Sequence, residues 1–194
     1  MTDDQRWLIA GLGNPGPRYA GNRHNIGFMV ADVLAARIGA RFKRDRAASQ
    51  AATGALAGAA VIVVKPMSFM NNSGGPVAAV AAFYKVPPDH VVVVHDELDL
   101  PYETIRLKQG GGDNGHNGLR SLTAALRTRD YYRVRMGIGR PPGRQDPADF
   151  VLSDFAVAER RELPLLVERG ADAVEALLAR GLSAAQNEIH PAAG

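Results

Sequence analysis

Short apolar runs alternate with polar, glycine-bearing loops along most of this chain. Trp7, Leu8, Ile9 and Ala10 read as a short buried strand, closed by the turn Gly11-Leu12-Gly13-Asn14-Pro15-Gly16. Asn22 is placed to cap a helix over about 23–38, with Phe28, Met29, Val33 and Leu34 as its apolar positions and Gly39 as its stop. Segments 47–56 and 60–64 read as two paired strands joined near Ala57 and Gly58. A polar loop holding Met and Asn covers 66–75, and Asn72 or Ser73 is expected to cap a second helix that ends near Tyr84. Val91, Val92, Val93 and Val94 form a continuous β-branched run, as in a strand buried on both faces, which opens into His95-Asp96-Glu97-Leu98-Asp99. Further along, a strand over 104–108, a helix over about 118–127 and a strand over 131–138 are expected. Residues 140–147 read as an exposed Pro-, Gly- and Arg-rich loop. A last helix is expected over about 158–180, interrupted at Pro164 and Gly170. With no repeat, linker or internal boundary, strands alternating with helices predict one α/β sandwich over 1–194.

Composition narrows the chemistry more than the fold. The 194 residues suit one domain, and 46% hydrophobic with 22% charged is ordinary for a globular protein. There is no cysteine, which excludes disulfides, thiolate zinc sites and a cysteine nucleophile, and fits a reducing compartment. The acidic, polar start over 1–6 shows no signal-peptide pattern, and no apolar run approaches the roughly 20 residues of a membrane helix, so a cytoplasmic location is expected. The net charge of +3 is uneven: residues 1–147 carry 19 basic against 12 acidic side chains, and 148–194 carry 4 against 8. A basic body permits a polyanionic partner, although 19 of the 23 basic residues are arginine, a bias that genome composition also produces.

Five polar clusters interrupt the apolar scaffold, and in open α/β sheets ligands sit beyond the carboxyl ends of strands. The glycines of the first, 11–16, resemble a dinucleotide fingerprint, but Pro15 has no N–H to give a pyrophosphate; the alternative is that they fix Asn14 with its amide toward a substrate. In the second, Asn22-Arg23-His24-Asn25, an isolated histidine would ordinarily be a surface residue near a cap. At a helix start, however, the dipole disfavours imidazolium, and a neutral ring can act as general base. In Ser68-Phe69-Met70-Asn71-Asn72-Ser73-Gly74, Asn71 is free of any capping role and suited to donate to an oxyanion. Phe69 and Met70 read as core, or as an apolar wall for a ligand. The carboxylates Asp96, Glu97 and Asp99 invite a magnesium reading, or a simpler one in which a single carboxylate fixes a histidine tautomer. The fifth cluster, 110–118, contains three successive glycines, and Lys108 with Arg133 and Arg135 on a nearby strand suits a phosphate.

Together these segments resemble the bacterial-type peptidyl-tRNA hydrolase family. The matching stretches are 11–16, Tyr19-Ala20-Gly21-Asn22-Arg23-His24-Asn25-Ile26-Gly27, Lys65-Pro66-Met67-Ser68-Phe69-Met70-Asn71, His95-Asp96-Glu97-Leu98-Asp99-Leu100-Pro101 and Gly115-His116-Asn117-Gly118-Leu119-Arg120, in the family's order, within a resemblance over about 6–180. The resemblance implies a single-domain three-layer sandwich, a twisted mixed sheet with helices on both faces, with 181–194 as a C-terminal tail. It implies a monomer that cleaves the ester joining a peptide to the 3′ end of tRNA, without metal or cofactor, and so recycles tRNA from abandoned translation. The family's catalytic residues fall on His24, Asp96 and Asn14, and its other active-site asparagines on Asn71 and Asn117. Tyr19, Phe69, Met70 and His116 complete the substrate-binding set, and Lys108 with Arg135 corresponds to the pair that holds the tRNA 5′-phosphate, Arg133 being close by. Near Glu103 the family often has a glycine, which leaves the shape of that turn open. Three rivals make different demands: a nucleoside phosphorylase of similar fold would need phosphate, an RNA-binding module would bind without releasing peptide, and a metal hydrolase on Asp96, Glu97 and Asp99 would fail in chelator.

Overall fold

A computed structural model of the chain describes residues 5–190; the first four residues and the last four of the expected tail lie outside the described residues. Seven strands, β1 (Trp7–Gly11), β2 (Lys43–Asp45), β3 (Ser49–Leu56), β4 (Ala59–Pro66), β5 (Val91–Glu97), β6 (Ile105–Gln109) and β7 (Tyr132–Gly137), form one sheet in the order β2-β3-β4-β1-β5-β7-β6. The central strands β4, β1, β5 and β7 are parallel, whereas the β2–β3 ribbon on one edge and β6 on the other run antiparallel to their neighbours. The sheet is therefore mixed, as expected.

The helices α1 (Ile26–Arg37), α2 (Gly74–Phe83), α3 (Asn117–Leu126), α4 (Pro147–Val151) and α5 (Val157–Ile189) complete the domain. The period-two alternation of strand side chains divides the interior in two. Ile9, Val63, Val92, Val94, Val134 and Met136 face α1 and α5, while Leu8, Ala10, Ile62, Val64, Val91 and Val93 face α2 and α3. The valine run of β5 is thus buried on both sides, because it lies between two layers of helices.

Several expectations need correction. The first helix begins three residues later than expected, at Ile26, after a 3₁₀ turn over Arg23–Asn25. Asn22 does not cap it: its Nδ2 donates instead to Asp154 Oδ1 at 2.9 Å. Neither Asn72 nor Ser73 caps α2; Asn72 ends a 3₁₀ turn, and the Ser73 hydroxyl donates back to Met70 O at 2.8 Å. Side-chain caps occur where they were not expected, His116 on α3 and Asp146 on α4. The cluster 95–97 belongs to β5 itself and does not follow it, so His95 and Glu97 point to one face and Asp96 to the other.

The last helix passes through both expected interruptions. Gly170 is an approach point: a Cβ there would come within 2.8 Å of Met136 Cε and 2.9 Å of Val30 Cγ2, so a larger residue would have to push those side chains aside for α5 to settle on the sheet and α1. The break comes at Gly181, at φ 80°, and helix resumes as far as Ile189. The final turns carry side chains to the edge strand. Gln186 Nε2 donates to Leu107 O at 3.0 Å, and Leu107 N–H donates to His190 Nε2 at 2.8 Å. The turn at Glu103 keeps the left-handed conformation that glycine favours, at φ 73°.

Candidate active site

Parallel β1 and β5 lie side by side, and the segments that leave their carboxyl ends meet over the sheet. His24 sits in the 3₁₀ turn before α1, 72 residues from Asp96, and its Nδ1–H donates to Asp96 Oδ2 at 2.8 Å. His116 Nε2 donates to the other oxygen, Asp96 Oδ1, at 2.8 Å. One buried carboxylate thus serves two imidazoles whose ring centroids are 5.1 Å apart.

Backbone hydrogen bonds fix the tautomers. His116 Nδ1 accepts the N–H groups of Gly118 and Leu119 at the start of α3, so its own hydrogen is on Nε2. On His24 the hydrogen lies on Nδ1, facing a carboxylate that can only accept, and Nε2 is left as a basic nitrogen. Burial is the largest influence on His24 and pulls its pKa down, but the charge of Asp96 and the bond to it more than offset this and raise it. A helix dipole at this turn was expected to keep the ring neutral, and Asp96 was expected to hold it and stabilise its charged form; the carboxylate is the stronger influence and makes the ring more basic. For Asp96 the largest influence, burial, raises the pKa, and the two histidines outweigh it and hold the carboxyl well below the usual range. His95, buried behind the pair, is pushed down to about 3, first by burial and then by the charge of His116.

Asn25 holds the backbone of Asn14 from both sides: Asn14 N–H donates to Asn25 Oδ1, and Asn25 Nδ2 donates to Asn14 O, each at 2.9 Å. Asn14 Oδ1 accepts Met70 N–H at 2.7 Å, which leaves Nδ2 as the end available to a ligand. These groups line a cavity of about 420 Å³. Its walls include Asn14, Tyr19, His24, Phe69, Met70, Asn71, Asp96, His116 and Asn117, so the residues expected from distant stretches of chain converge. Met70 is core, 4% exposed, whereas Phe69 is 57% exposed and meets Tyr19 edge-on at 6.1 Å as an apolar wall.

Lys108 and Arg135 lie outside this cavity lining, on the β6–β7 edge. Register puts Lys108 opposite Arg133 and Arg106 opposite Arg135, so all four project from one face. Arg133 is buried and donates to the carbonyls of Gly111 and Gly112, which makes it a brace for the glycine loop. Arg135 binds Glu97 through Nε and Nη2, at 3.1 and 2.8 Å, leaving Nη1. Burial, then Arg135 and Arg133, lower the pKa of Lys108.

The acidic cluster divides among different partners. Asp96 serves the histidines, Glu97 binds Arg135 and Asn114, and Asp99 binds Asn114 and Arg140. Ligand atoms of His24, Asp96 and His116 do lie within 4.8 Å of one another, but both rings already direct an N–H at Asp96, and a divalent ion there would displace both bonds. Sequence reasoning assigned no role to Asn25 or Asn114, and missed α4 and the turn after it, whose Pro147, Ala148, Val151 and Leu152 form a further wall.

Asn71 is exposed on the cavity rim, and its side chain makes no hydrogen bond among the described residues. Asn71→Ala is therefore expected to leave thermal stability within about 0.5 kcal/mol. If Asn71 is an oxyanion donor, the same change slows turnover about 10²-fold. A melting curve and a single-turnover assay separate these effects, and unaltered turnover would remove Asn71 from the mechanism.

Comparison with known proteins identifies the family and the fold. The family model described as peptidyl-tRNA hydrolase matches residues 8–193, which takes the match past residue 180 through most of the expected tail. Among curated relatives, a peptidyl-tRNA hydrolase of Frankia alni is 65% identical over 97% of this chain and 96% of the relative. One from Streptomyces coelicolor is 63% identical over 93% of each. The crystal structure of peptidyl-tRNA hydrolase from Acinetobacter baumannii superposes with a TM-score of 0.88 at 35% identity, covering 98% of this chain and 96% of that one. The chain belongs to the peptidyl-tRNA hydrolase family.

Proposed function

We propose that this chain hydrolyses the ester between a peptide and the 3′ end of tRNA, with His24 as general base and without a metal ion. Family membership supports the reaction. The observation that carries the residue assignment is the His24–Asp96 pair, which leaves Nε2 of His24 unprotonated on the wall of a cavity that also bears four carboxamides, Asn14, Asn71, Asn114 and Asn117. In this reading Nε2 takes a proton from water, and the water oxygen attacks the ester carbonyl. Asp96 balances the imidazolium that forms. Nδ2 of Asn14 and the carboxamide of Asn71 donate to the oxygen on which negative charge develops, and Asn117 orients the water or the peptide backbone. The intermediate collapses to a peptide carboxylic acid, which ionises to solvent, and a ribose oxygen that takes the proton back from His24. Tyr19, Phe69, Met70 and His116 flank the peptide. The freed tRNA returns to translation from abandoned peptidyl-tRNA.

Peptide release from N-acetylated aminoacyl-tRNA by the purified protein tests this directly. Release is expected to persist undiminished in EDTA and without added phosphate. Absence of release, or dependence on a divalent ion, would overturn the reading.

Lys108 and the Nη1 edge of Arg135 form the 5′-phosphate contact in this proposal. A charge-assisted hydrogen bond contributes about 1.5–3 kcal/mol, so Lys108→Ala should raise KM about 10-fold or more with kcat nearly constant. The difference should vanish on tRNA whose 5′-phosphate has been removed. An equal loss on both RNAs would assign Lys108 elsewhere. The same reading makes the enzyme a monomer acting in the cytoplasm; among the described residues no helix is long and apolar enough to cross a membrane.

A further inference from the structure

Arg23 precedes the general base and takes no part in the chemistry above. Its side chain is buried, and every partner it has lies in one distant segment. Nη2 donates to Glu159 Oε1 at 2.8 Å, and Nη1 donates to Ser153 Oγ at 2.6 Å and to Phe150 O at 3.5 Å. The guanidinium carbon stands 4.0 Å from the Phe150 ring centroid and 5.7 Å from that of Phe155. The Arg23 N–H donates to Ser153 O at 3.0 Å, and Asn22 is bonded to Asp154. These partners run from the end of α4 to the first turn of α5, and the adjoining residues Val151 and Leu152 face the cavity.

Stability alone is a poor account of this arrangement. Burying a guanidinium offsets much of what its ion pair contributes, and Arg23 Nε has no partner among the described residues. What a planar, multiply bonded fork supplies is orientation. The turn it orients carries His24, whose contact with Asp96 sets both tautomer and basicity.

We propose that Arg23 is a positioning residue that fastens the His24 turn to the 150–159 segment, so that the base and the wall against which the peptide lies form one rigid unit. The proposal rests on the reading of His24 as general base. Contacts that a peptide makes at Val151 and Leu152 then bear on the placement of His24, and loosening the fork lets the ring drift from Asp96. The titratable groups that face His24 are Asp96 from β5 and His116 from the start of α3; Glu159 of α5 faces Arg23.

The test uses Arg23→Lys, which keeps charge but loses the fork, Arg23→Met, which loses both, and the milder Ser153→Ala. Two measurements are made: the kinetics of peptide release, giving kcat and KM, and the titration of the His24 imidazole by NMR in the free protein. Misplacing a catalytic group by about 1 Å costs about 10²-fold, so both Arg23 variants should lose about 10–100-fold in kcat, with a smaller change in KM. In each the His24 midpoint should move to lower pH, because burial persists while the Asp96 contact weakens. Ser153→Ala should shift the midpoint in the same direction by less, and it decides the matter if Arg23→Met does not fold. Parental midpoints in Arg23→Lys and Ser153→Ala, with kcat falling only as the folded fraction falls, would overturn the proposal. His24→Ala in parallel separates the two failures. Parental turnover there removes the general-base reading itself, whereas an inactive His24→Ala beside parental Arg23 variants removes only the role of Arg23.

Discussion

Purified Asp96→Asn is expected to lose about 10³–10⁴-fold in turnover, more than the removal of one negative charge suggests. The reason is the forced tautomer of its neighbour. His116 must keep Nδ1 bare to accept Gly118 and Leu119 N–H, so its Nε2–H needs an acceptor at position 96. An asparagine there has one oxygen and one NH₂. With the oxygen held by His116, the NH₂ faces His24 and requires Nδ1 to accept, which drives the hydrogen onto Nε2. The base is then capped by its own proton. A second signature accompanies the loss. With His24 as the proposed general base its neutral form is the active one, and because Asp96 raises its pKa against the downward pull of burial, the parental kcat/KM should fall on the acid side through a midpoint above 6.5. In Asp96→Asn burial acts alone, and the residual activity should fall through a midpoint below 6.5. A pH profile measured in single turnover checks both, and an unshifted acid limb would show that Asp96 does not tune His24.

His24→Ala is expected to slow peptide release about 10²–10⁴-fold while tRNA binding persists, because in the proposed mechanism the ring supplies proton transfer and the phosphate contacts lie elsewhere. A small structural effect comes with it. Asp96 is 2% exposed and keeps only His116, and a buried acceptor deprived of one donor costs about 1–3 kcal/mol. Thermal melting should register that loss in a folded protein. Release at the parental rate would sink the general-base assignment, whatever the other residues do.

The sequence carried six of the seven strands, missing only the three-residue β2 at Lys43–Asp45, together with the strand buried on both faces and those pocket residues that lie in contiguous motifs, because these depend on local alternation and on short motifs. It misled at several bonds that join distant residues. Asn22 has the composition of a cap, yet its carboxamide is taken by Asp154, 132 positions away. Asn25 stands inside a recognisable motif, but its use as a clamp on Asn14 depends on the fold bringing two turns together. For His24 local position suggested a dipole and the family resemblance supplied Asp96; what the sequence left open was their separation, which the fold closes to 2.8 Å across 72 positions. The short α4 carried a legible signal, an Asp at the cap and a Pro at the first helical position, obscured by the Pro, Gly and Arg around it. At Gly170 composition suggested a break, whereas packing against Met136 and Val30 makes glycine the residue that permits continuity.

One contact outside the pocket bears on how long this protein remains a separate molecule. β6 ends the sheet, and an end strand offers its backbone to any passing chain. Here Leu107, in the middle of that strand, has both backbone groups occupied by Gln186 and His190, so the last turns of α5 work as a built-in stopper. A chain clipped before Gln186 would keep every residue of the pocket and lose its plug. Such a product would retain its chemistry while acquiring a sticky seam, and colloidal behaviour would betray the damage before any rate did.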